Sequence, residues 1–192
     1  MSAMAESSRL LRCFLLAATI AGGIAAGNAH AAEEPSTLEH QVKAAFLYKF
    51  AGYVDWPSTS FARPDTPLTI AVAGADAIAA ELVQATSGRT VEGRTVTVKR
   101  VKAGESLAGV HILFVGKAES ARLSQWAQSA QQHSALIVTE SDGALAQGSV
   151  INFVMADRRV RFEVALDSAE KSKLKLSSRL LAVAQQVHTG AP

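Results

Sequence analysis

Short apolar runs alternate with amphipathic segments along most of the chain. The runs Leu68–Ala73, Val110–Val115 and Ala135–Glu140 are almost continuously apolar and are bounded by turn residues. This pattern is typical of strands that are buried on both faces of a sheet. The segments 77–86 and 118–132, which follow the first two runs, have the apolar spacing of helices. Buried strands that alternate with helices predict a largely parallel sheet that is covered by helices.

The C-terminal third of the chain has a different pattern. The strands "VINFVM" and "RVRFEVAL" are separated only by "ADR", which predicts an antiparallel hairpin at the edge of the sheet. Residues 95–101 alternate between apolar and polar and predict a half-exposed strand. Two helices are predicted at the end: "SAEKSKL", and "SSRLLAVAQQV" with one apolar face. Together these patterns predict a single three-layer α/β domain with a C-terminal hairpin and terminal helices.

Most helices in this prediction begin at a recognisable N-terminal signal. Ser36 with Glu39, and Asp167 with Glu170, have the spacing of a capping box. Asp76 is placed to cap the helix that follows the first buried strand. The opening helix is expected to end near Asp55, because a residue that precedes proline is disfavoured in helical conformation.

The opening helix, "VKAAFLYKFAGYVDWP", carries five of the eleven aromatic residues of the chain. At 100° per residue its bulky residues fall on one broad face: Val42, Phe46, Leu47, Phe50, Tyr53 and Val54. The other side holds mainly alanine and glycine, together with Tyr48 and Lys49. Lys43 projects within the bulky face, either with its stem along apolar surface and its ammonium in water or in a buried ion pair.

The first thirty-one residues have the composition of a secretory signal peptide. Arg9 and Arg12 precede the apolar stretch "CFLLAATIAGGIAA", which is followed by the small-residue cleavage site "AHA". We therefore expect cleavage before Ala32, a domain over 32–192, and export to the periplasm, with secretion as the lesser alternative. Cys13 is the only cysteine, so the mature chain would contain none.

Charge and motifs restrict the function of the mature chain. The 19 basic and 17 acidic residues of the full sequence nearly balance, and they still do once residues 1–31, with Arg9, Arg12 and Glu6, are removed, which gives no electrostatic case for nucleic acid. "LTIAVAGAD" has one glycine where a dinucleotide fingerprint needs three. His111 begins a buried run and is interpreted as a core residue, and no histidine has metal-ligand spacing. The sequence thus predicts no cofactor, no metal and no enzymatic activity.

The motifs together resemble the YfiR family over Gln41 to about Gln186. They are "VKAAFLYKFAGYVDWP", "LTIAVAG", "VHILFVG", "LIVTESDGALAQGSVINFV", "RVRFEVAL" and "LKLSSRLLAVA". The resemblance implies a periplasmic α/β protein that tends to dimerise and represses an inner-membrane diguanylate cyclase by binding its periplasmic sensor domain. An outer-membrane lipoprotein would sequester this repressor. Val110 stands where the family often has cysteine, so redox control is not expected.

The candidate partner-binding residues lie in three of these motifs. In "RVRFEVAL", alternation directs Val160, Phe162, Val164 and Leu166 inward and the intervening charged residues outward. A simple solvated face is the alternative to a recognition surface there. Ser177 is interpreted as an N-cap in the family's serine-serine-lysine position. The candidate set is Arg159, Arg161, Glu163, Ser178, Arg179, Lys43 and Tyr48.

Two functions other than repression are also compatible with the sequence. The first is a periplasmic sensor of a small molecule without a cyclase partner, whose ligand lies at the strand ends around Gly74, Gly116 and Ser141, where parallel sheets commonly bind ligands. The second, more distant, is a periplasmic hydrolase. Neither is supported by a catalytic motif, and the sensor is compatible with a repressor that is tuned by a ligand.

Overall fold

The computed structural model of the protein describes residues 37–190. The predicted signal peptide, the Ala32 cleavage point and the Ser36 cap lie outside the described residues. The helices are α1 (Thr37–Phe50), α2 (Asp76–Thr86), α3 (Leu123–Gln132), α4 (Leu166–Lys171) and α5 (Ser178–Ala182). The strands are β1 (Val54–Asp55), β2 (Leu68–Ala73), β3 (Thr90–Val91), β4 (Arg94–Arg100), β5 (Ile112–Val115), β6 (Leu136–Thr139), β7 (Ile151–Ala156), β8 (Arg159–Ala165), β9 (Lys175–Leu176) and β10 (Gln186–His188).

The main sheet has eight strands in the order β10-β8-β7-β6-β5-β2-β4-β3. Its centre is parallel, and only the hairpins β7–β8 and β3–β4 are antiparallel. Every residue of β5 and β6 is buried, as continuous apolar runs require when helices cover both faces. The prediction of a mostly parallel, helix-covered α/β sheet is confirmed.

The opening helix is shorter than predicted. It ends at Phe50, and the chain turns through Gly52, whose backbone N–H donates to the Lys49 carbonyl oxygen. Val54 and Asp55 then pair with Leu176 and Lys175 as a two-stranded antiparallel sheet. Placing Tyr53 and Val54 on the helix was therefore wrong, because glycine weakens the helix and a distant strand supplies backbone partners.

The C-terminal helix is also shorter than predicted. Ser177 does cap it, since its hydroxyl oxygen accepts from the Leu180 backbone N–H. The helix ends at Ala182, Val183 is 67% exposed, and residues 186–188 form β10 in parallel with β8. The hairpin is thus not the edge of the sheet, because β10 takes up the backbone groups that β8 would leave unpaired.

Two predicted caps are wrong in detail. Asp76 and Asp167 lie inside the first turns of α2 and α4, and the capping positions are Ala75 and Ala165, without a side-chain cap. The Asp76 carboxylate instead accepts from Arg100 Nε at 2.8 Å. Carboxylates in the first turn still interact favourably with the helix dipole.

The helix α1 lies against the sheet through phenylalanine rings. The ring of Phe50 is 5.1 Å from that of Phe162 and 6.0 Å from that of Phe153. Phe46, which is half-buried, contacts both strands as well. The bulky face of α1 therefore holds the helix against the β7–β8 hairpin.

Candidate functional site

The outward face of β8 is open to solvent at its N-terminal end. Arg159 and Arg161 are exposed, whereas Val160, Phe162 and Val164 are buried, as the alternation predicted. Leu166, which was predicted to face the core, is half-buried and already belongs to α4. The hairpin register places Arg161 opposite Val154. The two arginines thus form a basic, solvent-exposed stretch, called here the arginine face.

Glu163 shares this side of the strand but has different surroundings. It pairs with Gln186 of β10, and its side chain is only 27% exposed. Its Oε2 lies 3.9 Å from Nε2 of His188, which is also on β10. Because β10 pairs with β8 only from Glu163 onward, Glu163 is less exposed than Arg159 and Arg161.

Lys43 forms a buried ion pair. Its Nζ lies 2.5 Å from Oε1 of Glu39 and 2.5 Å from Oε2 of Glu140, and its side chain is 4% exposed. Burial lowers the pKa of Lys43, but the hydrogen bonds and charges of Glu140 and Glu39 outweigh it and raise that pKa above its ordinary value. Of the two arrangements open for Lys43, the structure has the ion pair, which joins α1 to the end of β6.

A cleft of about 710 Å³ surrounds this ion pair. Ser141, Lys117 and Met155 also line it, and the backbone N–H of Lys117 donates to Glu140 Oε1 at 3.3 Å. Lys43 and Ser141, which came from different predicted sites, therefore lie in one cleft. The cleft is lined by three acidic residues, Glu39, Glu140 and Asp142, and by two basic residues, Lys43 and Lys117.

Gly74 and Gly116 lie in direct contact at the ends of β2 and β5. A Cβ atom on Gly116 would lie 2.5 Å from the Gly74 carbonyl oxygen, and one on Gly74 would lie 2.8 Å from Cγ of Glu119. Gly74 has a φ of 65°, a conformation that glycine adopts without strain. The described structure therefore uses both glycines for close backbone packing at the point where the strand order reverses.

The remaining candidates lie apart from these groups. The Tyr48 hydroxyl donates to the Thr90 carbonyl oxygen at 3.2 Å, and the Arg89 guanidinium lies 5.6 Å from the centre of its ring. Ser178 and Arg179 are exposed on α5. The seven candidate partner-binding residues thus do not form one contiguous set of contacts.

Sequence reasoning missed Glu140 and Asn152. Asn152 is 5% exposed, and its Oδ1 accepts from the Thr139 hydroxyl at 2.8 Å and the Ser141 backbone N–H at 3.2 Å. The available signal was a polar residue inside the apolar run "VINFVM", because a buried amide requires hydrogen-bond partners. For Glu140 the signal was a carboxylate directly after a buried strand.

Within residues 37–190, no three His, Asp or Glu side chains come together as metal ligands. None of the described helices combines the length and the apolar character needed to cross a bilayer.

Comparisons with known proteins concern family and fold. A family model described as YfiR/HmsC-like matches residues 40–185, more than half of the chain. No curated protein matches the chain. Among solved structures, a conserved domain protein from Vibrio cholerae O1 biovar El Tor is similar with a TM-score of 0.47 and 9% identity, over 62% of this chain. The chain spans 54% of that protein's length.

Proposed function

Because the chain belongs to the YfiR/HmsC-like family, we propose that it is a negative regulator that binds the periplasmic sensor domain of an inner-membrane diguanylate cyclase. Membership in this family supports a periplasmic regulator of cyclic di-GMP signalling, and members are regulators rather than enzymes. Binding to the sensor domain would lower cyclic di-GMP output. The predicted signal peptide, residues 1–31, would deliver the protein to the periplasm.

The observation that carries this proposal is the arginine face. Arg159 and Arg161 are exposed on a strand whose opposite face is buried in the core. Arginine is enriched at recognition surfaces, because its planar guanidinium makes paired hydrogen bonds to carboxylates. A partner that fits this face would present acidic side chains, and charge complementarity would raise the rate of association.

Two further partners belong to the same proposal. An outer-membrane lipoprotein would release the cyclase by sequestering this protein, and a homodimer would be the form that binds. Both follow from what the family resemblance implies. The arginine face is exposed on β8, so it is compatible with a contact to the lipoprotein or to a second copy of this chain.

Deletion of the gene tests the proposal directly. Cyclic di-GMP should rise in the deletion strain and return to the low level when the intact gene is supplied. Capture from detergent-solubilised membranes with the tagged protein should retain a diguanylate cyclase. Unchanged cyclic di-GMP under several growth conditions, with no cyclase captured, would reject repression and favour the sensor function.

A further inference from the structure

A second cavity lies where the loop after β6 meets the ends of β8 and β10. Its volume is about 480 Å³, within the range of ~300–1,000 Å³ that is usual for small-molecule sites. Much of the wall is glycine and alanine, including Ala144 and Ala165. The side chains with polar functional groups in its wall are Asn152, Glu163, Asp167, His188 and Thr189.

Asn152 presents an amide nitrogen to this cavity. The side-chain oxygen is held by the Thr139 hydroxyl and the Ser141 backbone N–H. Because a backbone N–H can only donate, these contacts fix which end of the amide is oxygen. Between residues 37 and 190, the amide nitrogen Nδ2 has no acceptor, although Asn152 as a whole is only 5% exposed. Nδ2 is not one of the described side-chain atoms that are both closed off from solvent and without a partner, so it can be reached from the cavity. An acceptor atom placed there would give this donor a partner.

His188 presents a second unsatisfied atom. Its Nε2 is buried and has no hydrogen-bond partner among the described residues. The nearest carboxylate oxygen, Oε2 of Glu163, is 3.9 Å away, which is too long for a hydrogen bond. Because Nε2 is closed off from solvent, a ligand in the cavity reaches the Glu163 carboxylate and not this nitrogen, and a donor group placed there would hydrogen-bond to Glu163.

The charge of the lining restricts what can enter. Glu163 and Asp167 are acidic, and no lysine or arginine lines the cavity. Lys171 approaches Asp167 at 3.6 Å, but its side chain is 64% exposed. An ammonium group is therefore favoured near Glu163, whereas a carboxylate would be repelled. The acceptor for Asn152 must then be a neutral oxygen.

We propose that this cavity binds a small primary amine that also carries a hydroxyl oxygen. The ammonium lies beside Glu163 and donates to its carboxylate, and the hydroxyl oxygen accepts from Asn152 Nδ2. Binding here requires no cyclase partner, so its test is independent of the function proposed above.

Calorimetric titration of the purified protein at neutral pH and low salt tests this site with three matched probes. 4-Aminocyclohexanol has both groups, 1,4-cyclohexanediol has no charge, and cyclohexylamine has no oxygen. The amino alcohol should bind at least about tenfold more tightly than the diol, which lacks the charge-assisted hydrogen bond. It should bind several-fold more tightly than the simple amine.

Isosteric variants locate the site. Glu163→Gln and Asp167→Asn should each weaken binding of the amino alcohol, Glu163→Gln by about tenfold or more. Glu170→Gln is the matched control, because Glu170 is exposed on α4 and does not line the cavity. Thermal unfolding identifies folded variants, and if Glu163→Gln does not fold, Asp167→Asn carries the test.

Three results would overturn the site. The first is an absence of binding of the amino alcohol at millimolar concentration, which would mean that water satisfies Asn152 Nδ2 and the Glu163 carboxylate. The second is equal binding of the diol. The third is an unchanged dissociation constant in both folded acidic-residue variants.

Discussion

Lys43 and Glu140 are 97 residues apart in the chain, yet their charged atoms lie 2.5 Å apart. Lys43 is on α1, and Glu140 follows the last residue of β6. Their side chains are 4% and 11% exposed. The pair therefore ties the first helix to the middle of the sheet, within the cleft that also contains Ser141.

Removing this lysine should destabilise the protein strongly. Lys43→Ala leaves the largely buried Glu140 without its cation, and breaking a buried pair from one side costs about 3–5 kcal/mol. Lys49→Ala is the control, because Lys49 is exposed on the same helix and should change stability by no more than about 0.5 kcal/mol. Chemical denaturation of both variants measures the difference. Equal stability of the two variants would contradict a structural role for the pair.

His111 should make stability depend on pH in the acidic range. Burial lowers the pKa of His111, the Ser60 carbonyl partly opposes this, and the charge of Arg94 lowers it further. Below about pH 6.5 the unfolded chain binds a proton that the folded chain does not. Neutral His111 therefore contributes to stability above that pH. This contribution is lost as pH falls toward the pKa that His111 has in the folded chain.

The variant His111→Gln removes this titration. Wild type should lose more unfolding free energy than the variant between pH 7 and pH 5, although the variant is less stable at pH 7. The variant lacks the imidazole that accepts from the Thr69 N–H and stacks on Phe61 at 4.2 Å. Denaturant titrations at several pH values give both curves. Parallel curves would show that His111 does not titrate differently on folding.

Charge reversal of the arginine face should impair repression but not folding. Arg159→Glu with Arg161→Glu changes two exposed residues, each expected to alter stability by about 0.5 kcal/mol or less. An acidic partner would then meet like charges, so cyclic di-GMP should remain high in a deletion strain that carries this variant. Lys99→Glu, exposed on β4, is the control and should repress normally. Full repression by the double variant would exclude this face from recognition.

Phe50 should contribute strongly to stability. It is 2% exposed and contacts the rings of Phe153 and Phe162, so Phe50→Ala should cost about 3–5 kcal/mol. Leu38, which is 69% exposed on the same helix, provides the control substitution to alanine and should have little effect. Thermal and denaturant unfolding distinguish the two. A small loss for Phe50→Ala would mean that the helix is not held by this ring.

Export should remove the first thirty-one residues. Intact mass of the protein from periplasm should correspond to a chain that begins at Ala32, within a residue or two, because "AHA" is a small-residue cleavage site. That chain has no cysteine, so its thermal midpoint should be the same with and without reductant. A mass that retains residues 1–31 would favour an uncleaved membrane anchor.

The sequence by itself determined the centre of the fold. Leu68–Ala73 forms a strand as predicted, and the apolar runs around β5 and β6 form strands within two residues of their predicted ends. Such runs have few alternatives, because only a strand covered on both faces buries so many consecutive apolar side chains. The alternation in "RVRFEVAL" likewise identified Val160, Phe162 and Val164 as core-facing side chains.

Only the tertiary structure decided the features that depend on distant residues. "SSRLLAVAQQV" has a helical pattern, but the free edge of β8 draws residues 186–188 into the sheet. Lys43 had two compatible positions, and Glu140, far along the chain, selects the buried one. Local propensity is weak compared with such long-range hydrogen bonds and charges. For the same reason the cavity of Asn152, Glu163 and His188 could not be predicted, since strand pairing alone brings these residues together.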